Sequence, residues 1–495
     1  MGSMGDRHHR LTRVTAGFGP ASDLSRAGLG PPGLAGESLR PGNVLIELPG
    51  KNILVVGLAR TGAALCRFLA EHGARVTITD QAPPEDLADY RREIRDLGLT
   101  EVLGVEAPPW QGFEAIVLSP GVPPELPWLT AARAAGVPLL GELEVAAPFI
   151  RRPILAVSGT NGKTTTITLL GEMLAASGVK ALVGGNIGTP LVTLLARQEE
   201  ADCLVLEVSS FQLDTASHFH PQAAALLNIT SDHLDRYSGF DAYLASKASL
   251  FRWQQESDLR VLNADDPAVA NLDPGKSRVY YFSASRPLTA GAWLNHAALK
   301  VRLADSREHA FPLEHIRLKG KHNLENIMAA LLLALDAGAD SDACRQVLAH
   351  FGGLPHRLEW VADLDGVSFY DDSKGTNVGA VSRSLAYFDR PVILIAGGRD
   401  KDSDFSQLND LIAAHVKALV LLGETRERLA RLWRGLAPVY LADDMAAAVA
   451  RARDLAGPGE VVLLSPACAS FDMYKDYVQR GQTFQKLVRE LSHVQ

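Results

Sequence analysis

Only four cysteines, Cys66, Cys203, Cys344 and Cys468, occur in 495 residues, and no two share CxxC or Cys/His spacing. That pattern excludes a disulfide framework and a structural zinc site, and it makes the reducing cytoplasm the expected location. Long apolar runs are missing too. The longest, Ile327 to Leu335, is nine residues, half of the roughly 18 that a membrane span needs, so no membrane insertion is expected. Nor is there an excess of positive charge. The 49 Lys and Arg against 57 Asp and Glu leave a net charge of −8, so no overall field draws the chain to nucleic acid or an anionic membrane. What is there is an ordinary composition, 47% hydrophobic and 21% charged, with a mean hydropathy of +0.03, which excludes disorder along the whole chain. At about 150 residues per domain, this length predicts about three domains.

The first 50 residues hold ten Gly and five Pro, against 43 Gly and 27 Pro in all. This doubled density, without an apolar segment, predicts a disordered extension over residues 1–50 and not a secretory signal. From Lys51 onward the pattern is apolar strand, Gly-rich turn and helix, repeated: KNILVVG, GLARTG and AALCRFLAEHG form the first unit, and RVTITD, ending at Asp80, is the next strand. Such units predict an α/β fold with doubly wound parallel sheets. Turns divide the chain into three blocks, 51–143, 144–353 and 354–495. The expected architecture is two open Rossmann-like sheets flanking a central P-loop ATPase-type domain. Strands run into polar or Gly-rich ends, as in CLVLEV-SSFQLD, AALLNI-TSDHLDRY and PVILIAGG-RDK, and ligands bind at the carboxyl ends of such strands.

The first Gly turn reads Gly57-Leu58-Ala59-Arg60-Thr61-Gly62, with Asp80 eighteen residues further on. Ala59 stands where the dinucleotide fingerprint has the glycine that admits a pyrophosphate. This disfavours a nicotinamide dehydrogenase and leaves a nucleotide diphosphate at the helix N-terminus, with Asp80 accepting from sugar or base. A ligand-free strand-to-helix turn is the bland alternative. The second turn, Ser158-Gly159-Thr160-Asn161-Gly162-Lys163-Thr164-Thr165, departs from the strict Walker pattern at Val157. Its context is nevertheless a strand before and a helix at once after. The loop N–H groups suit phosphate oxygens, Lys163 the β/γ region and the Thr164 hydroxyl a Mg²⁺ ion, so ATP is expected here. Glu207 lies inside an apolar strand, where a charge needs a partner such as a metal. His233, in DHLD, is by itself more often a capping or surface histidine, and it becomes a candidate ligand only if it shares the sheet edge with Glu207 and Thr164. Ser470 reads as the start of a helix with apolar positions 471, 474 and 478, whose N–H end suits a carboxylate.

VSGTNGKTTT, EVSSFQL, NITSDHLDRY, YLASKASLF, GKHNLEN, LPHRLE, DDSKGTN and SPACASFDMY occur in the order found in Mur ligases, so that residues 51–495 resemble that family. The resemblance implies an ATP-dependent acid–amino-acid ligase. The third-block motifs imply D-glutamate as the amino acid and UDP-N-acetylmuramoyl-L-alanine as its acceptor, in peptidoglycan precursor synthesis by a monomeric enzyme. It also implies roles residue by residue. Gly159 to Thr165, with Asn323, Asn326, Arg357 and Asp372, would bind ATP. Thr164, Glu207, His233 and Lys247 would serve two Mg²⁺ ions, with Lys247 carried as a carbamate. Carbamylation turns a repelling cation into an anionic oxygen ligand. Lys163, His233 and Lys247 would carry catalysis. Arg60, Thr61, Asp80, Ser119 and Asn186 would hold the UDP-sugar; Lys374, Thr376, Lys401, Ser470, Phe471 and Tyr477 would hold D-glutamate. After Asp80 the family often has Ser or Thr then Arg, whereas this chain has Gln81-Ala82. The rival readings are a sister Mur ligase, a folylpolyglutamate synthase-type ligase and, from a different class, a P-loop NTPase with no acceptor.

Overall fold

The computed structural model describes residues 47–230, 236–304, 307–400 and 403–491. The apolar runs pair into three sheets. In the first, the strands Thr100–Leu103, Arg75–Asp80, Asn52–Val56, Ala115–Leu118 and Leu139–Gly141 lie side by side in that order, all parallel. The helix Arg60–Glu71 buries Leu65, Cys66, Phe68 and Leu69 on one face, as its periodicity predicts. Residues 1–46 of the expected extension lie outside the described residues. Its last residues belong to the block: Leu48 is buried in the core around Ile53 and Phe68, and Gly50 N–H donates to Gly73 C=O at 2.7 Å. A leucine beside a strand start gains more by burial than the Gly/Pro count suggests.

The central sheet has nine strands. Its parallel core sets Ile154–Ser158 between Ala223–Leu226 and Cys203–Glu207, with Ala181–Gly185 at one edge and Leu259–Asn263 and Arg278–Ser283 on the other side. Beyond them Gly291–Asn295, Ala298–Arg302 and Glu308–Pro312 add an antiparallel extension outside the strand–turn–helix pattern. Its signal is the period of two in Ala298–Arg302, where Leu299 and Val301 are buried. The nine-residue apolar run falls in the helix Lys321–Asp336. Ile327 to Ala334 are fully buried in a core shared with the helix Lys163–Ala176, which accounts for the run without a membrane. No described helix is long and apolar enough to cross one.

The third sheet orders Glu359–Leu364, Val367–Asp371, Val461–Leu464, Val392–Ala396, Val416–Leu421 and Val439–Leu441, parallel except for the antiparallel first strand. Ser470 does not open a helix. Met473 and Tyr474 N–H both donate to Ser470 C=O at 3.1 and 2.8 Å in a turn, and the helix runs from Tyr477 to Leu491. Its cap is Asp476, whose Oδ1 accepts from Gln479 N–H at 2.8 Å. Serine and aspartate cap helices about equally well, so it is this bond and not the residue type that fixes the start.

Candidate active site

The loop after Ile154–Ser158 turns through Gly159, at φ +146°, and Gly162, at φ +90°, into the helix Lys163–Ala176. Gly162 is required twice. Its φ is unfavourable for a side chain, and a Cβ there would stand 2.2 Å from Asn326 Oδ1. Asn326 is thereby set against the loop, while Asn323 donates from Nδ2 to Lys319 C=O at 2.8 Å. The neighbouring strand end brackets the loop from the other side. Thr160 N–H donates to Asn228 C=O at 2.9 Å, and Asn161 exchanges bonds of 2.9 and 3.0 Å with the Asn228 amide. Lys163 Nζ donates to the carbonyls of Gly159 (2.8 Å) and Thr160 (3.0 Å). Lys247, on the helix Phe240–Ala248 and only 2% exposed, donates to the same Gly159 carbonyl at 3.0 Å. Two lysines far apart in sequence thus converge on one loop atom.

Glu207 is 1% exposed at the end of Cys203–Glu207, and its partners are neutral donors. Thr164 Oγ1 donates to Oε2 at 2.7 Å, and Asn186 Nδ2 to Oε1 at 2.9 Å. The Thr164 hydroxyl also accepts from Arg357 Nη2 at 2.8 Å, so the third block reaches into the nucleotide loop. Thr165 is buried in the first turn of that helix. His233 and Lys401 lie outside the described residues.

Two loops present the third-block candidates. His356 holds φ +61°, and its Nδ1 hydrogen bonds Asp371 Oδ2 at 2.6 Å; that bond raises the imidazole above its ordinary pKa. Lys374 N–H donates to His356 C=O at 3.0 Å, tying Arg357 and Lys374 to one scaffold. Arg480 binds the carbonyls of Ser373 at 2.8 Å and Cys468 at 3.2 Å, and burial lowers its guanidinium to about 10. Lys374 Nζ lies 4.0 Å from the centre of the Tyr477 ring. Thr376 N–H donates to Lys374 C=O at 2.8 Å. Ser470 is buried beside the loop and Phe471 is exposed. Asp372 turns inward: Oδ2 accepts from Ser384 and Ser465 hydroxyls, each at 2.7 Å, and Oδ1 from Leu358 N–H at 3.2 Å. Burial pushes it up to about 6.

In the first block the turn is held internally. Asp80 accepts from Leu58 N–H at 2.7 Å and Ala82 N–H at 2.8 Å, and Ser119 Oγ donates to Gly57 C=O at 2.7 Å. Both Asp80 oxygens therefore shape the loop, and a ligand would compete for their remaining lone pairs. Arg60 opens the helix exposed, and Thr61 follows half-buried. The sequence reading missed Arg236, which stacks 4.3 Å over Phe211 and donates to Gly121 C=O at 3.3 Å, joining the first and central blocks. It missed Glu142, 1% exposed on the same seam, which accepts from Val192 N–H (3.2 Å) and Gln212 Nε2 (3.1 Å). Burial carries its carboxyl to about 7; two acidic residues in GELE are the only trace, and surface glutamates look the same. A cavity of about 820 Å³ adjoins the nucleotide loop, with walls that include Asn228, Glu325 and Arg383.

Comparison with known proteins agrees over the same span. Three family models match in succession: the Mur ligase MurD-like N-terminal domain over residues 51–141, the Mur ligase middle domain over 157–334 and the Mur ligase, glutamate ligase domain over 356–468. Proteins named UDP-N-acetylmuramoylalanine–D-glutamate ligase from Geotalea uraniireducens and Geobacter metallireducens are each 46% identical, across 90% of this chain and 99% of theirs. Among solved structures, the fold is shared with UDP-N-acetylmuramate-alanine ligase MurC from Thermotoga maritima (TM-score 0.56, 18% identity, 89% of this chain and 100% of that one). It is shared too with the MurF ligase of that organism in complex with ADP (TM-score 0.56, 17% identity, 90% and 96%). Models and full-length relatives leave one assignment: the chain belongs to the Mur ligase family.

Proposed function

We propose that this chain is an ATP-dependent ligase that joins D-glutamate to UDP-N-acetylmuramoyl-L-alanine, the reaction in its relatives' name, and that it works as a monomer in the cytoplasm. The observation that carries the reading is the hydrogen-bonded line from Arg357 through Thr164 to Glu207 and Asn186. It puts the nucleotide loop, an oxygen-rich strand end and the third block within one reaction volume, which a simple NTPase does not require.

In the chemistry, the L-alanine carboxylate attacks the γ-phosphorus of ATP and ADP leaves, giving an acyl phosphate. The D-glutamate amine then attacks the acyl carbon, and the tetrahedral intermediate collapses to amide and phosphate as the amine loses a proton. Lys163 places positive charge at the transferring group, and positioning supplies most of the remainder. Thr164 and Glu207 are hard oxygen donors 2.7 Å apart, a donor set that fits Mg²⁺. Such an ion would neutralise charge on the phosphoryl oxygens. Lys247 as a carbamate would replace the second of two cations on the Gly159 carbonyl by an anion, suited with His233 to a second ion. Asn323, Asn326, Arg357 and Asp372 would complete the ATP site, with Asp372 shaping its loop. Arg60, Thr61, Asp80, Ser119 and Asn186 would serve the UDP-sugar, and Lys374, Thr376, Lys401, Ser470, Phe471 and Tyr477 the D-glutamate. The blocks 51–143, 144–353 and 354–495 would thus take one substrate each.

The deciding assay is phosphate release from ATP with UDP-N-acetylmuramoyl-L-alanine, with and without D-glutamate. Release that needs both is expected. Release indifferent to D-glutamate, or equal with other amino acids, overturns the reading.

A further inference from the structure

Segment 119–122 follows the strand Ala115–Leu118 and forms the floor of the first Gly turn. Ser119 Oγ donates to Gly57 C=O at 2.7 Å, and a Cβ on Gly57 would stand 3.0 Å from Val122 Cγ2 and 3.1 Å from Ser119 Cβ. Val122 N–H closes the segment onto Ser119 C=O at 2.9 Å. Atoms this close transmit displacement, so the turn moves with its floor.

Two ties to the first block start from the helix Ser210–Leu213, which begins three residues beyond Glu207. Gln212 makes one of them. Its Nε2 donates to Glu142 Oε2 at 3.1 Å, and its Oε1 accepts from Ser209 N–H and Oγ, each at 3.1 Å. With both residues buried, this tie has no slack. Phe211 makes the other. Its ring lies 6.2 Å from that of Tyr237 and within 16° of parallel. Tyr237 in turn donates to Asp214 Oδ2 at 2.7 Å, and Asp214 Oδ1 accepts from Ser246 Oγ at 2.5 Å. On this anchored aromatic pile rests Arg236, its Cζ 4.3 Å from the centre of the Phe211 ring. Its Nη1 donates to Gly121 C=O at 3.3 Å and its Nη2 to Val122 C=O at 3.5 Å. A planar guanidinium can stack on a ring and fork across two carbonyls at once, and an ammonium cannot.

We propose that Arg236 is a positioning residue for the UDP-sugar. It fastens segment 119–122 to the central block, and through Ser119 and Val122 it sets the Gly turn that receives the diphosphate. This rests on the ligase reading above and adds a residue that acts on the UDP-sugar from outside its block. The Gln212–Glu142 tie fixes where the two blocks meet, while the half-buried Arg236 fixes the height of the loop above that joint.

The test is calorimetric titration of the full chain with UDP-N-acetylmuramoyl-L-alanine and, separately, with a non-hydrolysable ATP analogue. Arg236→Met is expected to weaken the UDP-sugar by about tenfold and the ATP analogue by less than about twofold. In the ligation assay KM for the UDP-sugar should rise by the same factor, with kcat and KM for D-glutamate nearly unchanged. Phe211→Leu should weaken the UDP-sugar by about fivefold, and the double variant no further than Arg236→Met alone, because both break one contact. Arg236→Lys keeps the charge without the fork and should lose about threefold or more; it also keeps the test valid if Arg236→Met fails to fold. Wild-type affinity in Arg236→Lys assigns the effect to charge at a distance and overturns the proposal. An equal loss for the ATP analogue in Arg236→Met overturns it too, as a general loss of structure. Wild type that does not bind the UDP-sugar refutes the ligase reading and the proposal with it. Wild type that binds it and releases phosphate with D-glutamate, matched in affinity by Arg236→Met, refutes the proposal alone.

Discussion

Gly379 offers the sharpest probe of how the third block meets the nucleotide loop. It is the second residue of the helix Val378–Leu385, and a Cβ added there would stand 2.8 Å from Thr230 Oγ1 and 3.4 Å from Asn161 Nδ2. Ordinary carbon–oxygen contact is about 3.3 Å, so the misfit is about half an ångström. Its backbone is not left-handed, so alanine adds no local strain, and in a helix it is worth about 0.5–1 kcal/mol over glycine. Gly379→Ala should therefore leave the melting temperature unchanged or slightly raised, while the seam opens by a fraction of an ångström. A displacement of 1 Å at a reacting centre costs on the order of a hundredfold, so about tenfold in kcat/KM for ATP is expected here. Among the described residues Thr230 Oγ1 has no hydrogen-bond partner, so Thr230→Ala is a cheap relief of the clash. The double variant should recover most of the loss in a coupled phosphate-release assay. Activity of Gly379→Ala within twofold of wild type, or no recovery in the double variant, would refute the reasoning.

Lys247→Ala should abolish ligation, and a short carboxylic acid added to the assay should restore part of it; full activity in the variant would remove the carbamate from the mechanism. Asp372, raised to about 6 by burial, holds a proton in the folded chain that the unfolded chain releases near pH 4. Stability is therefore lost as pH rises from about 4 to 6, by roughly 2–3 kcal/mol. Asp372→Asn should melt higher than wild type at pH 8 and alike below pH 4, and an equal difference at both pH values contradicts the assignment. Gly481→Ala would place a Cβ 2.2 Å from His356 Nδ1 and 2.7 Å from Asp371 Oδ2. It should destabilise the third block by more than about 2 kcal/mol, seen as early proteolysis at residues beyond 354, and wild-type resistance would argue against that packing.

The strand–turn–helix grammar was legible because buried parallel strands read as continuous apolar runs: Asn52–Val56, Ile154–Ser158 and Val392–Ala396 sit where such runs occur. The antiparallel extension at Ala298–Arg302 was harder to see, since its alternation spans only five residues. The helix start at Asp476 was misplaced because serine and aspartate both cap helices and only geometry chooses between them. Motif order was enough to nominate Lys163, Thr164, Glu207 and Arg357, and the structure brings Thr164, Glu207 and Arg357 into one hydrogen-bonded line. Glu142, Glu325 and Arg383 escaped because their burial comes from neighbours distant in sequence. In the sequence they resemble the charged residues of any solvated helix.

The helix Tyr477–Leu491 is the last described segment to leave the ribosome, yet it supplies Arg480 and Gln485. Gln485 Nε2 reaches Asp371 at 2.8 Å and Glu359 at 2.9 Å, and Arg480 joins Ser373 to Cys468. The loops carrying Arg357 and Lys374 thus gain their clamps only about a hundred residues after they are themselves made, whereas the nucleotide loop has its strand and helix some three hundred residues before that clamp. Domains fold as they emerge, so the nascent chain would acquire a phosphate cradle long before it has a fixed place for the amino acid. Interrupted translation products would carry a formed nucleotide loop but an unassembled third-block site.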